Sequence, residues 1–311
     1  MKKIIVFLTL IISITAGIWF LQRNENKETS GSKPKVAATI FPLYDITANI
    51  AGDTVETVLL LPPGASPHAY EPSPESIKKV ENSDVIFMIG HGIDSWSNSI
   101  AQSANITNSL IVDQNVELLE YSGADHSHDE ETGEAVEEEP TENGIDPHYW
   151  LSIINAKGIS LQIRDELIRM YPDHAEAFKA NYEAYAQELS ALDEENKEKI
   201  QSLDNKQIAT FHNAFGYLAH EYGIEVVTTF EEFPGEEPSP EYVQEFSEHI
   251  EEDGITVIFA EPQFSASALE PIADDLGVTI SQLDPVGGVA DRDSFISLMR
   301  YNVNQINSAL Q

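Results

Sequence analysis

The chain has 311 residues, no cysteine and a formal net charge of −36 at pH 7. This length allows two domains of ordinary size, and the lack of cysteine excludes disulfides and thiolate chemistry, so a metal site would need nitrogen and oxygen ligands. The negative charge argues against nucleic acid or anionic lipid as a partner and favours cations, although it also serves solubility by itself.

The N-terminal segment, residues 1–21, has the pattern of an export signal or a membrane anchor. Lys2 and Lys3 precede an unbroken apolar stretch, 4–21, and a polar linker follows over 22–35. The stretch is long enough to span a bilayer and no A-x-A pattern marks a cleavage site, so we expect an uncleaved anchor, with cleavage and secretion as the alternative. The two lysines favour a cytoplasmic N-terminus, which places the rest of the chain at the cell surface or in the periplasm. An acylated cysteine cannot be the tether, because the sequence contains none.

After the linker, short β-branched runs alternate with stretches of helical period. The runs are apolar nearly throughout, which is typical of strands covered on both faces. They predict an α/β fold of two lobes, 36–170 and 206–311, each a mostly parallel four-stranded sheet flanked by helices. The candidate strands are Val36–Phe41, Val55–Leu61, Val85–Gly90, Ser109–Asp113, Gln207–Phe211, Ile224–Phe230, Ile255–Glu261 and Val278–Asp284.

The stretch between the lobes, 171–205, predicts one long connecting helix. From Asp173 to about Leu203 it contains almost no helix breakers and many Ala, Glu, Lys and Gln residues. At 1.5 Å per residue the helix would be about 45 Å long, enough to run the height of both lobes. A coiled-coil partner is the alternative. One apolar stripe with 4-3-4-3 spacing comprises Phe178, Tyr182, Tyr185, Leu189 and Leu192.

The acidic segment 122–144 lies outside the alternating pattern and predicts a mobile loop. Its centre reads DHSHDEETGEAVEEEPTE and contains no basic residue. Such a loop either keeps the surface solvated or collects divalent cations weakly through His126 and His128.

Four polar residues follow predicted strands or lie in loops that lead away from them, namely His68, His148, His212 and Asp284. In open α/β sheets, ligands bind outside the carboxyl ends of the strands. The first two residues belong to one lobe and the last two to the other, so a ligand in the cleft would hold both lobes together. Three imidazoles and one carboxylate suit a tetrahedral zinc shell, whereas copper would favour sulfur and magnesium or calcium would favour oxygen alone.

The alternative for any single histidine is a capping or core role. Four other histidines are not expected to bind metal: His174 and His249 lie on helical stretches with acidic neighbours and should be exposed, His220 should face outward on the helix after His212, and His91 can cap a loop. Histidines that bind a metal usually donate their other ring N–H to a carboxylate or carbonyl group. Asp146, Glu71 and Glu261 are candidates for this second contact.

A zinc hydrolase is the main functional alternative, because three histidines on zinc can activate water when the fourth position is open. Asp284 would close that position, and the sequence has neither HExxH nor a nucleophile elbow, so we predict that the protein is not an enzyme. A surface adhesion protein with a structural zinc is a third class.

Several motifs resemble the metal-binding receptors of ABC transporters for zinc and manganese. PHAYEPSP, DPHYWLS and FHNAFGYLAHEYG resemble the three histidine motifs of that family, and EEPSPEYV, FAEPQFSASALEPIADDLGV and LDPVGG resemble its later blocks. The resemblance implies that His68, His148, His212 and Asp284 are the metal ligands. It also implies two α/β lobes joined by a long rigid helix.

The same resemblance implies the function. The chain would be a monomeric, high-affinity zinc receptor outside the cytoplasm, delivering the ion to the membrane permease of an ABC transporter, with zinc as the transported ligand. Manganese members of the family resemble a pattern with a carboxylate where this chain has His212, so zinc is favoured and a manganese receptor is the alternative.

Overall fold

The computed structural model describes residues 33–121, 144–231 and 235–311. The N-terminal apolar stretch and almost all of the acidic loop, including His126 and His128, lie outside the described residues. Within the described part of the chain, no helix combines the length and the apolar character needed to cross a membrane. The chain divides into two units, Met1–Lys33 and Pro34–Gln311. Every element named below belongs to the second unit.

The first lobe alternates strands and helices around a parallel sheet. Its elements are β1 (Lys35–Ala38), α1 (Phe41–Ala51), β2 (Glu56–Leu59), α2 (Pro74–Val80), β3 (Val85–Met88), α3 (Ser97–Ser103), β4 (Ser109–Ile111) and α4 (Ile153–Met170). The strand order is β2-β1-β3-β4, and every pair is parallel. The four residues of β3, VIFM, are all buried, as expected for a central strand covered on both faces.

The second lobe repeats this arrangement. Its elements after the connecting helix α5 (Ala175–Gln201) are β5 (Gln207–Thr210), α6 (Gly216–Tyr222), β6 (Glu225–Thr229), α7 (Pro240–Glu252), β7 (Val257–Ala260), α8 (Glu270–Leu276), β8 (Thr279–Gln282) and α9 (Phe295–Ala309). The strand order is β6-β5-β7-β8, again parallel throughout. The predicted fold class is therefore confirmed, and all eight predicted strands form, with hydrogen-bonded ladders shorter than the apolar runs.

The long helix that joins the lobes is α5. A single 3-10 turn, Pro172–His174, precedes it, so the regular helix begins two residues later than the sequence predicted. Tyr182 is half-buried on the inner face of the helix. The other four residues of the predicted stripe are fully buried, namely Phe178, Tyr185, Leu189 and Leu192. The helix thus contributes one apolar face to the core, as its periodicity predicts.

One hydrophobic core runs through both lobes. It includes Val36 and Ile46 of the first lobe, Leu189 of α5, and Phe259 and Val303 of the second lobe. Each of these side chains is at most 1% exposed. Shared burial of this kind opposes separation of the lobes, because opening them would return apolar surface to water.

Candidate metal centre

His212 lies at the carboxyl end of β5, next to the end of β7. In the order β6-β5-β7-β8, the connections from β5 and β7 run in opposite directions, so the crevice between these two strands is the switch point where ligands bind in open α/β sheets. His212 comes two residues after β5 ends, and Glu261 directly follows β7. Glu261 Oε1 lies 2.6 Å from His212 Nδ1, and both side chains are buried.

His148 belongs to the first lobe and directly precedes a buried 3-10 turn, Tyr149–Leu151. Asp146 Oδ1 accepts a hydrogen bond from the His148 backbone N at 2.9 Å and lies 2.8 Å from His148 Nδ1. Trp150, inside the turn, donates from Nε1 to the backbone oxygen of Pro285 in the second lobe at 2.8 Å. The position of His148 is therefore fixed by its own lobe and by the facing one.

His68 lies in the loop that follows β2 and is half-buried. Trp96 holds this loop, because its Nε1 donates to the backbone oxygen of Pro67 at 3.1 Å. Tyr70 packs edge-on against the Trp96 ring with the ring centroids 4.7 Å apart. These contacts bring His68 Nε2 to 3.2 Å from His148 Nε2.

The three histidines form one group in which the ligand nitrogens all lie within 4.8 Å of one another. They line a small cavity together with Pro67, Trp150, Gln263 and Val286, so the two lobes both contribute to its wall. Its volume is about 10 Å³, whereas pockets for organic ligands measure roughly 300 Å³ or more. The cavity therefore suits a single ion.

The protonation of these histidines follows from burial and neighbouring charge. Burial, together with the nearby His148 and His212, holds the pKa of His68 well below its usual value, so this imidazole is neutral near pH 7. Burial also works to lower the pKa of His212, but the charge and hydrogen bond of Glu261 outweigh it and raise that pKa. Among the described residues, His212 Nε2 is buried and has no hydrogen-bond partner. A buried ring nitrogen without a hydrogen-bond partner, such as His212 Nε2, suits a metal ligand, because a bound cation would satisfy it.

The sequence model of the ZnuA family, described as zinc-uptake complex component A periplasmic, matches residues 36–309. The chain belongs to this family. The zinc-binding protein AdcA of Streptococcus pyogenes is 29% identical over 316 residues, which cover 98% of this chain and 61% of AdcA. The metal ABC transporter substrate-binding lipoprotein SsaB of Streptococcus sanguinis is 29% identical over 321 residues, which cover 100% of this chain and 99% of SsaB. A crystal structure of ZnuA superimposes with a TM-score of 0.77 at 26% identity, covering 90% of this chain and 100% of ZnuA.

Membership in the ZnuA family confirms the resemblance drawn from the histidine motifs. The chain spans about three-fifths of the length of the AdcA relatives that it matches. The match to SsaB, in contrast, covers nearly the whole length of both chains.

Asp284, the predicted fourth ligand, lies in this ZnuA-family chain just after β8 and is 1% exposed. Within the described ranges it is not part of the group whose ligand atoms lie within 4.8 Å of one another. Its Oδ1 accepts hydrogen bonds from Gln263 Nε2 at 2.8 Å and from the backbone N atoms of Val286 and Gly287 at 3.0 and 2.9 Å. Its Oδ2 lies 3.3 Å from Arg292 Nη1. The role of Asp284 as a ligand remains a prediction.

The remaining sequence candidates are placed as follows. Asp146 and Glu261 make the predicted second contacts to histidine rings, whereas Glu71 is exposed. His91 pairs with Asp113, at 3.2 Å, and is not in the histidine group of the described residues.

Sequence reasoning missed two residues that bear on the site, Gln263 and Arg292. Gln263 lies two residues beyond Glu261, so its position after a strand was the available signal. Arg292 offered no local signal, because its contact with Asp284 depends on how the chain turns after β8.

Proposed function

We propose that this ZnuA-family chain is an extracytoplasmic receptor that binds one zinc ion between its lobes and delivers it to the permease of an ABC transporter. The three-histidine group carries the proposal, because it gathers nitrogen ligands from both lobes around an ion-sized cavity. The role is one of binding and not of catalysis. The names of AdcA and SsaB, which refer to zinc binding and to metal ABC transport, agree with it.

Zinc is the ion that the donor set favours. Zinc accepts imidazole nitrogen in a four-coordinate shell, whereas manganese prefers more oxygen ligands and higher coordination. The carboxylates of Asp146 and Glu261 face Nδ1 of their histidines, which leaves Nε2 to bind the metal. A manganese receptor is the second candidate, because Asp284, next to the cavity-lining residues Pro285 and Val286, offers a carboxylate oxygen, a ligand type that manganese prefers.

Asp284 completes the proposed shell as the fourth ligand. Its neighbours Pro285 and Val286 line the cavity of the histidines, and Gln263 both lines the cavity and holds Asp284 Oδ1. A carboxylate would partly neutralise the dication, which a buried site requires.

We also propose a division of the chain into lobes 36–170 and 206–311 with the connecting segment 171–205.

The sequence and the family support a location outside the cytoplasm. We propose that residues 4–21 anchor a monomer to the membrane, with the lobes outside, or that they are cleaved on secretion. SsaB is named as a lipoprotein, but this sequence contains no cysteine to acylate. The anchor would therefore differ from that of the relative.

Zinc accumulation by cells tests the receptor function. The chromosomal gene is replaced by one that encodes His148→Ala, or His249→Ala as the control, because His249 lies on α7 outside the histidine group. In zinc-poor medium, cells with His148→Ala should accumulate less zinc than cells with His249→Ala. Equal accumulation by the two strains, at equal protein level, would reject the receptor function.

A further inference from the structure

Asp284 and Arg292 form an ion pair beside the metal centre. Arg292 Nη1 lies 3.3 Å from Asp284 Oδ2, and the two side chains are 14% and 1% exposed. Asp284 Oδ1 takes three hydrogen bonds, whereas Oδ2 has none from the described residues. Arg292 is therefore the positive charge that balances Oδ2, the oxygen of this buried carboxylate that accepts no hydrogen bond from the described residues.

The structure holds the Arg292 guanidinium in place independently of Asp284. The group lies over the Tyr301 ring, 4.5 Å from its centroid, and Nη1 is 3.5 Å from Gln282 Oε1. The backbone of Arg292 is also fixed, since its oxygen accepts from Gly288 N at 2.9 Å. A cation held in this way can lose its ion pair without losing its position.

We propose that Arg292 is the counter-ion that Asp284 exchanges for the metal, and that this exchange weakens zinc binding and speeds zinc release. This inference rests on the proposed zinc-receptor function and on Asp284 as the fourth ligand. Asp284 must turn its free oxygen towards the histidines to bind zinc, and the ion pair opens as it does so. Arg292 then keeps the Tyr301 ring and Gln282 as its contacts.

Two physical effects make the exchange lower the affinity for zinc. A largely enclosed guanidinium that loses its carboxylate is left as an incompletely compensated charge, which is unfavourable. It also repels the arriving dication through an interior that screens less than water. Both effects disappear when the positive charge at position 292 is removed.

The zinc dissociation constant of charge variants tests this inference. Arg292→Gln should bind zinc on the order of tenfold more tightly than the wild-type chain and release it more slowly, because the competing cation is gone. Arg300→Gln is the matched control, since Arg300 lies on α9 and pairs with Glu195 on α5. The control should bind zinc like the wild type. In an Asp284→Asn background, Arg292→Gln should change the constant by less than about threefold, because the carboxylate that links Arg292 to the metal is missing.

The zinc affinities of the wild type and of Arg292→Gln separate a failure of the proposed function from a failure of this inference. If the wild type does not bind zinc tightly, the proposed function itself is rejected. If the wild type binds zinc and Arg292→Gln has an equal or higher dissociation constant, Arg292 is not a competitor and only this inference is rejected.

A crystal structure of the zinc-loaded wild-type chain gives a second test that needs no variant. The exchange predicts that Asp284 binds zinc and that the distance from its oxygens to Arg292 Nη1 exceeds 4 Å, the usual limit of an ion pair. An ion pair that persists while Asp284 binds zinc would overturn the exchange.

Discussion

The two fully buried histidines of the candidate metal centre, His148 and His212, use their two ring nitrogens differently. Nδ1 of His148 faces Asp146 at 2.8 Å, and Nδ1 of His212 faces Glu261 at 2.6 Å. A carboxylate at Nδ1 favours the tautomer that is protonated there, so the lone pair lies on Nε2. The carboxylate also makes the imidazole a better electron donor to a metal. These pairs should therefore set part of the zinc affinity.

Glu261→Gln tests the contribution of the carboxylate behind His212. The amide keeps an oxygen for Nδ1–H but loses the negative charge, so the zinc dissociation constant should rise by roughly 10- to 100-fold. Competition with a chromophoric chelator measures it. Glu248→Gln is the control, because Glu248 is exposed on α7. Identical constants for the two variants would show that Glu261 does not support the site.

His212→Glu tests what makes the site selective. The change replaces a nitrogen ligand with an anionic oxygen that can bind through two atoms, so manganese should gain relative to zinc. Competition titrations of wild type and variant give the ratio of the dissociation constants for zinc and manganese. Both proteins are measured at one pH, because imidazole must be deprotonated to bind metal. A wild type that prefers manganese, or a ratio unchanged in the variant, would contradict the role assigned to His212.

For individual residues of the site, the sequence could predict their types and positions but not the directions of their side chains. His212 and Glu261 follow the paired strands β5 and β7, so their proximity could be expected. Asp146 lies two residues before His148, so this contact could be expected as well. Asp284 met the same criteria. Its carboxylate contacts Gln263 and Arg292, and the contact with Arg292 depends on the turn after β8, which the sequence pattern does not show.

Asp45 links two helices that belong to different lobes. It lies on α1 and accepts a hydrogen bond from the Phe295 backbone N, at the start of α9, at 2.9 Å. Burial raises the pKa of Asp45 from 3.8 to about 6, against the lowering effect of the Phe295 hydrogen bond, and the nearby Asp293 raises it further. The contact between the lobes therefore contains a carboxylate that is costly to ionise.

Asp45→Asn tests the pH dependence that follows. The pKa is raised in the folded state, so the contribution of Asp45 to stability is present below about pH 4 and is lost as the pH rises through about 6. Asparagine keeps an oxygen for the Phe295 N–H without the charge. At pH 7.5 the variant should be more stable than the wild type, on the order of 2 kcal/mol, and the difference should shrink towards pH 4.

Urea unfolding of the two proteins at pH 4.5 and pH 7.5 measures this difference. Asp53→Asn is the control, because Asp53 is exposed, and it should leave the pH profile unchanged. A lower free energy of unfolding for Asp45→Asn at pH 7.5 would mean that the charge stabilises the contact between the lobes.

At the scale of elements, apolar periodicity predicted the strands and the connecting helix well, but not their ends. The residues before α5 form a 3-10 turn at Pro172–His174, with Pro172 at its start. Such turns are common at the ends of α-helices, and composition does not distinguish them from the first turn of the helix. β7 ends at Ala260, one residue before the predicted end, which leaves Glu261 free to reach His212. Ladder ends depend on the neighbouring strand, which a local pattern does not contain.

In the described part of the molecule, the sequence predicted two lobes, but not the core cluster that the two lobes share. The stripe of α5 and residues of α9, such as Val303, are buried together with residues of the first lobe. The parallel sheets can be inferred from local runs, whereas a core shared between lobes depends on contacts distant in sequence. Because this core is shared, wide opening of the lobes would expose apolar surface and is disfavoured.

The histidine group formed by both lobes is expected to bind a single zinc ion. Calorimetric titration of the 311-residue chain with zinc measures this binding, with His148→Ala and the control His249→Ala titrated alongside. We predict one zinc per chain with a dissociation constant of about 1 nM or below, raised roughly 100-fold or more by His148→Ala and unchanged by His249→Ala. Failure of the wild-type chain to bind zinc, or tight binding that His148→Ala leaves unaltered, would show that this histidine group is not the zinc site.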